Sequence, residues 1–421
     1  MIDQINIINI ILLLLFFACY IYQMFYIPVS WLWKAKPHKK TQRTHVAVLI
    51  AARNEEKVIG TLIDSIRDQD YPSELIDIYV VADNCTDTTA KTASSHGATV
   101  FERNDTSKVG KGYALNFLLS KLKESGKTPD AYLVLDADNV LSRDFITEIN
   151  RTYSDGYEIV TCYRNSKNFG DSWVSAGYGL WFLREAKYLN ASRMLLGTSC
   201  AISGTGFMFS HRILEKRGGW HYFLLTEDIE FTADNIINGE KIGYSAKAVL
   251  YDEQPVKFSQ SWRQRMRWTR GNMDVLRYYC RRLFRGMFKG SFSCYDMLMC
   301  ICPGFFLFGF GVAANTVAIV ENMTGHGSWA LLGASVLRLF FDAYLAFYLT
   351  GLITTVTEWK QIHAPAYKKI LYTFTFPLFM MTYLPIGVAA CFKKVGWKPI
   401  VHDRVMSLKE IKSESGAMQN K

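Results

Sequence analysis

Long uncharged apolar runs at both ends of this chain enclose a stretch where short apolar runs alternate with helical periods. Residues 5–33 carry no charge, and the segment around Leu12-Leu13-Leu14-Leu15-Phe16-Phe17 is long enough to span a bilayer. No basic start and no small-residue cleavage site accompany it, so a retained transmembrane anchor over residues 1–34 is expected. Residues 292–320 and 328–356 are also of spanning length, with Asp296 the only charge in the first and Arg338 and Asp342 in the second. Residues 372–392 are interrupted by Pro377 and Pro385. Proline removes a backbone donor and kinks a helix, so this segment is expected to be a bent span or a re-entrant element.

From His45 the period changes. Val46–Ile50 reads as a buried strand, and Val58, Leu62, Ile63 and Ile66 as one face of a helix. Ile76–Val81 is a second strand; Thr86 or Asp87 can cap the helix after it, and Gly97 can end that helix. A strand at Ala98–Phe101, a helix from about Gly110 to Glu124 and a strand at Tyr132–Leu135 follow. Alternating strands and helices imply an α/β domain with a mostly parallel sheet covered on both faces. Ligands bind such sheets beyond the carboxyl ends of the strands, where Asn54, Asp83 and Asp136 fall. No GxGxxG follows the first strand, which disfavours a dinucleotide and fits one metal-bound nucleoside diphosphate.

Charge orients the chain. Lys34, Lys36, Lys39, Lys40 and Arg43 follow the first apolar run, and Arg277, Arg281, Arg282, Arg285 and Lys289 precede the second, whereas 321–327 has no Lys or Arg. By the positive-inside rule the middle domain is cytoplasmic and 321–327 faces outside. A complete crossing by 372–392 would then put the basic tail (Lys393, Lys394, Lys398, Arg404) on the wrong side. The net charge of +10 over 421 residues collects beside apolar segments and carries no nucleic-acid-binding pattern, so anionic lipid explains it and nucleic acid is not expected. Nine scattered cysteines show no disulfide or metal framework, in keeping with a reducing cytosol.

Four acidic and basic signals occur in a fixed order: Asp83, Asp136-Ala137-Asp138, Thr226-Glu227-Asp228 and Gln264-Arg265-Met266-Arg267-Trp268. Paired carboxylates at a strand end suit Mg²⁺ or Mn²⁺ shared with substrate phosphates. Lys108-Val109-Gly110-Lys111-Gly112 opens a helix, where phosphate is favoured. A carboxylate such as Asp228 can serve as a general base, or simply start a helix behind Thr226 as N-cap. Arginine forks match phosphate oxygens, and an indole face suits a sugar ring.

In that order, the motifs resemble those of the membrane-integrated glycosyltransferases of family 2, which include cellulose, chitin, hyaluronan and poly-N-acetylglucosamine synthases and some glycolipid-making enzymes. The resemblance implies a GT-A type Rossmann-like domain inserted between α-helical transmembrane segments. It places Asp136 and Asp138 on the metal, and Asn54, Glu55, Asp83, Lys111, Gly204 and Thr205 around a UDP-sugar. Asp228 becomes the base, with Gln264, Arg265, Arg267 and Trp268 at the leaving diphosphate and the acceptor. Phe258–Arg263 resembles a mobile gating loop. The expected organisation is an anchor (1–34), a catalytic domain (45–255), a gating loop with interfacial helix (256–290), membrane segments (291–392) and a basic tail (393–421). The expected reaction is inverting, metal-dependent transfer of a sugar from a UDP donor to a growing polysaccharide, coupled to its passage through the plasma membrane. Few spans leave room for a second copy or an accessory secretion protein. A membrane-lipid acceptor is the first alternative, and a transporter or inactive scaffold the second.

Overall fold

The computed structural model describes residues 2–32, 38, 41–302, 311, 314, 316–317, 319–320, 322–325, 328–393, 395–396, 400 and 402–413. In chain order these form α1 (Ile2–Leu32), β1 (Val46–Ala52), α2 (Ile59–Arg67), β2 (Ile76–Asp83), α3 (Thr89–Ser95), β3 (Thr99–Arg103), α4 (Lys111–Glu124), β4 (Ala131–Asp136), β5 (Val140–Leu141), α5 (Phe145–Ser154), β6 (Ile159–Ser166) and α6 (Trp173–Arg184). A π-helical turn (Glu185–Asn190) leads into α7 (Ala191–Leu196), β7 (Phe207–Ser210), α8 (His211–Lys216), α9 (Glu227–Ile237), β8 (Ile242–Asp252), α10 (Phe258–Phe288) and α11 (Phe292–Ile301). Then come α12 (Trp329–Thr357), α13 (Ala366–Met381), α14 (Tyr383–Phe392) and α15 (Leu408–Ser413).

The eight strands lie in the order β3-β2-β1-β4-β7-β6-β8-β5. β1, β2, β3 and β4 are mutually parallel, and so are β6 and β8. β7 is antiparallel to both of its neighbours, and β5 to β8. Register aligns Ala51 with Asp136 and Asp83 with Arg103, so the carboxyl ends of β1, β2 and β4 form one rim. Strand pleating sends alternate residues to opposite faces. Val46, Val48 and Ile50 pack with Ile59, Leu62, Ile63 and Ile66 of α2 and with Ile146 and Ile149 of α5. Ala47 and Leu49 pack the other way, with Leu115, Leu118 and Leu122 of α4 and with Phe231 of α9. Burial on both faces is why these strands read as unbroken apolar runs.

The second face also receives the C-terminal helices. Phe376 and Phe379 of α13 join its core beside Tyr178 of α6. Among the described residues, 332–357 and 366–392 are the two segments long and apolar enough to cross a membrane. α1 exposes Ile7, Ile10, Ile11, Leu14 and Leu15, and α12 exposes Leu337, Phe340 and Phe341. Of the expected span over 292–320, Phe292–Ile301 is helical, and 303–310 lies outside the described residues. Arg338 and Asp342 pair with each other one turn apart at 3.8 Å, with side chains 84% and 57% exposed.

The proline-containing segment breaks at Thr382. Pro385 has no N–H for the Met381 carbonyl, and its ring crowds that carbonyl, so one helix ends and another starts. Both flanks of this segment touch the sheet domain: Lys368 Nζ donates to the Gly170 carbonyl at 2.7 Å, and His402 meets Glu55 at 3.0 Å. A segment that leaves and returns on one side would reconcile the basic tail with the positive-inside rule. A tag after Lys421 is therefore expected to report the same side as a thiol introduced by Thr41→Cys; opposite sides would make 366–392 a complete crossing.

Candidate active site

The carboxyl-end rim holds the paired aspartates. The Asp136 N–H donates to Thr205 Oγ1 and Asn139 Oδ1, both at 2.9 Å, which fixes the turn. Asp136 keeps its side chain 36% exposed and accepts from Lys111 Nζ at 2.5 Å. Asp138 is buried and accepts from the Glu253 N–H at 2.8 Å. Burial pushes the Asp138 carboxyl up, but His402, Lys167, the Glu253 N–H and Arg164 outweigh it and hold it below the ordinary range. Among the described residues no third His, Cys, Asp or Glu builds a metal cage. Two carboxylates without a third protein ligand fit Mg²⁺ or Mn²⁺ completed by water and a diphosphate.

Lys111 also donates to the Gly204 carbonyl at 2.8 Å, while the Gly204 N–H donates to Asp228 Oδ2 at 2.7 Å. One peptide segment thus joins the aspartate pair to the Thr226-Glu227-Asp228 helix start. Burial pulls the Lys111 ammonium down, but Asp136, Glu227 and Asp228 outweigh it and hold it charged. A Cβ on Gly112 would lie 2.0 Å from the Tyr222 carbonyl, so this helix start tolerates no side chain there. Burial raises the Asp228 carboxyl, against the pull of the Gly204 N–H and Lys111. Glu227 rises to about 7 through burial and the neighbouring Asp228, with Lys111 and Arg267 opposing.

Residues 258–263, expected as a mobile gating loop, form the first turns of α10. Packing decides this: Phe258 stacks on Trp173 and Ser261 is fully buried against Tyr178. Residues two apart on a helix point to different sides, so Arg265 and Arg267 cannot share a target. Arg267, half-buried, has no hydrogen-bond or ion-pair partner among the described residues, and its charge reaches Glu227. Arg265, expected at the diphosphate, is instead fully buried away from the rim. Its Nη1 donates to the Phe379 carbonyl at 3.0 Å, an acceptor at the Thr382 break, and its guanidinium lies 4.3 Å from the Phe379 ring and 4.9 Å from Tyr383.

Gln264, Arg267, Trp268 and Gly271 recur at i, i+3, i+4 and i+7, a stripe on which Arg267 lies away from Arg265 while Trp268 borders it at Tyr178. Gln264 Oε1 is buried without a partner among the described residues. Trp268 meets Tyr178 and Phe182 edge-on at 5.6 and 6.3 Å. A Cβ on Gly271 would come within 2.5 Å of Thr226 Oγ1. That hydroxyl makes no N-cap hydrogen bond, correcting the expected capping role; it faces α10 instead. Gly271→Ala should push α10 off the acidic helix start, costing about 1–3 kcal/mol of stability with loss of activity; an unchanged melting temperature and rate would disprove that contact.

The turns after β1 and β2 lock together. Asn54, at φ 58°, accepts from the Thr86 N–H at 2.8 Å through Oδ1, which ties its turn to the one after β2. Asp83 is buried against Arg103 at 2.5 Å, and Arg103 also donates to the Lys108 carbonyl at 2.7 Å. Glu55 meets His402 at 3.0 Å. Burial lowers the His402 imidazole, but Asp138 and Glu55 more than reverse this and lift it to about 10. Arg103, His402 and a buried pair, Arg164 with Asp252, escaped the sequence reading. Register opposite Asp83 could have flagged Arg103; no local signal marks the others. Arg164 donates to the Ser203 carbonyl at 2.8 Å and covers the Phe182 ring at 3.7 Å.

Residues 43–271, which include every one of these motifs, match the family described as "Glycosyltransferase like family 2". A probable glycosyltransferase, YdaM, of Bacillus subtilis is 26% identical over 76% of each chain. A beta-monoglucosyldiacylglycerol synthase of Trichormus variabilis is 24% identical over 85% of this chain and 76% of its own. A poly-beta-1,6-N-acetyl-D-glucosamine synthase of Staphylococcus epidermidis is 24% identical over 55% of each. Among solved structures, mannosyltransferase PcManGT from Pyrobaculum calidifontis, in complex with GDP-Man and Mn²⁺, superposes with a TM-score of 0.58 at 17% identity, covering 91% of this chain and 99% of that one. The shared fold is the GT-A-like α/β domain followed by C-terminal helices.

Proposed function

The chain belongs to the family 2 glycosyltransferases, and we propose that it moves a sugar from a UDP-sugar to an acceptor hydroxyl at the membrane by single displacement, inverting the anomeric carbon. One observation carries this reading: Asp228, whose carboxyl burial raises, is tied through the Gly204 peptide to Lys111 and so to Asp136, while Arg267, without a partner among the described residues, reaches the adjoining Glu227. The acceptor oxygen forms its bond to the anomeric carbon as the bond to the diphosphate oxygen breaks. Its proton passes to Asp228, which the Gly204 N–H orients. A raised carboxyl pKa suits a base working near neutrality. Arg267 and Lys111 offset charge growing on the leaving UDP. Asp136 and Asp138 would hold Mg²⁺ or Mn²⁺, which when bound neutralises the diphosphate. Asp83 with Arg103, and Glu55, would border the base and ribose.

The acceptor is a growing saccharide chain, as in the poly-N-acetylglucosamine synthase relative, with Trp268 beside it. A lipid acceptor is the second reading. The glucosyldiacylglycerol synthase similarity spans more of the chain, 85% against 55%. The middle domain is cytoplasmic in either case. Purified protein incubated with a panel of UDP-sugars, with Mn²⁺ or with chelator, tests all of this through UDP release and product size. Polymer supports the first acceptor and a singly glycosylated lipid the second; no UDP release from any donor would overturn the function.

A further inference from the structure

The segment after α14 comes back to the rim. His402 Nδ1 lies 3.0 Å from both oxygens of Glu55, in the turn after β1. Lys57, two residues on, donates to Asp403 at 2.5 Å. The N–H groups of Asp403 and Arg404 donate to the two oxygens of Glu253 at 3.3 and 3.0 Å. Glu253 is also the residue whose own N–H holds Asp138 at 2.8 Å. Arg404 reaches Asp171 at 2.9 Å, and Lys167 donates to the Arg404 carbonyl at 3.3 Å. Met406 and Ile411 then bury against Val140 and Tyr251. The apolar half would suffice to pin a tail. The polar half does something else: it bridges the β1 turn to the residue that fixes Asp138, across the rim where a donor diphosphate would lie.

We propose that residues 402–411 are a strap that completes the donor site, with His402 a positioning residue that holds Glu55 and, through the adjoining Glu253 contacts, the Asp138 loop in the arrangement that takes a nucleoside diphosphate. This rests on the rim being the UDP-sugar site. Burying an imidazole among carboxylates has a desolvation cost that these paired contacts offset. The strap lies in sequence 347 positions from Glu55, beyond the part of the chain that the family match covers.

The test uses the full-length protein in detergent, with UDP as probe by calorimetry, with and without Mn²⁺. His402→Ala should weaken UDP binding about tenfold or more, the scale of one hydrogen bond to a charged group. Its melting temperature should stay near that of the wild type, and its rate at saturating donor should be largely kept. His402→Gln, which retains a donor toward Glu55, should recover most of the affinity. Lys57→Ala, which removes only an exposed pair, should cause a smaller loss in the same direction. Unchanged UDP affinity in His402→Ala would overturn the proposal. So would tighter binding, which would make the strap a cover, or a parallel fall in melting temperature and affinity that His402→Gln does not restore. If the wild type prefers another nucleoside diphosphate, the donor assignment falls, and the strap is judged by the same comparison with that nucleotide.

Discussion

Asp228→Asn is expected to leave UDP affinity nearly unchanged while lowering the transfer rate by roughly 10²-fold or more, the usual range for loss of a general base. The amide keeps the shape and can still accept from the Gly204 N–H, now 2.7 Å from the carboxylate. What it cannot do is take the acceptor proton. The sign of the pH dependence follows from the same group. The base acts when ionised, and burial lifts its pKa, so activity should rise with pH through a limb above the ordinary aspartate range. Glu227, at about 7, interacts with it, so the limb belongs to the pair. In Asp228→Asn that limb should disappear along with the rate. A collapse of UDP affinity instead would make Asp228 a donor ligand and send the search for a base elsewhere.

The second large effect separates two arginines that sit two residues apart. Arg267→Ala should lower the rate by about 10²–10³-fold, as removal of one preorganised cation or donor at developing charge typically does, with little change in melting temperature. Arg265→Met should do the reverse. Its guanidinium lies in a cage of Phe379, Tyr383, Tyr178 and Phe258, and caps the Phe379 carbonyl at the helix break. Methionine fills that cage without a charge, so the rate should stay within a few-fold while stability shifts; a buried charge without an anionic partner can be replaced at small cost, or even gain. Steady-state kinetics and thermal unfolding on the two variants decide the matter. Equal rate losses would show that Arg265 also serves the reaction and that the helical-face argument is wrong.

The same pair shows how far a motif can be read locally. Gln264, Arg267 and Trp268 share one helix face at three- and four-residue spacing, a periodicity visible in the string once the segment is taken as helical. Matched only as a motif, the string points both arginines at the diphosphate; their two-residue spacing separates them only once each is placed on its own side of the helix. The stacking of Phe258 on Trp173 and the burial of Ser261 against Tyr178 that favour the helical segment come from α6, more than eighty positions earlier in the chain.

Other elements divide along the same line. The strands β1–β4, their intervening helices, the carboxyl-end rim with Asp83 and Asp136, and the break near Pro385 were legible because each is written in a short window. Period-two and period-3.6 hydrophobicity, turn residues and a missing proline N–H act within a few positions. Asp228 and Lys111 were legible as chemistry, but the Gly204 peptide that links them was not seen as a link.

What the amino-acid order determined alone is therefore the class of fold, the order of its motifs and the apolar segments around it. Tertiary structure alone decided that Arg103 pairs with Asp83, that Arg164 pairs with Asp252, that Arg265 and not Arg267 holds the Phe379 carbonyl, and that His402 returns to Glu55. The reason is physical. Local patterns encode which backbone conformation hides apolar surface, whereas ion pairs between distant residues form only after that burial has brought their elements together and stripped water from both partners.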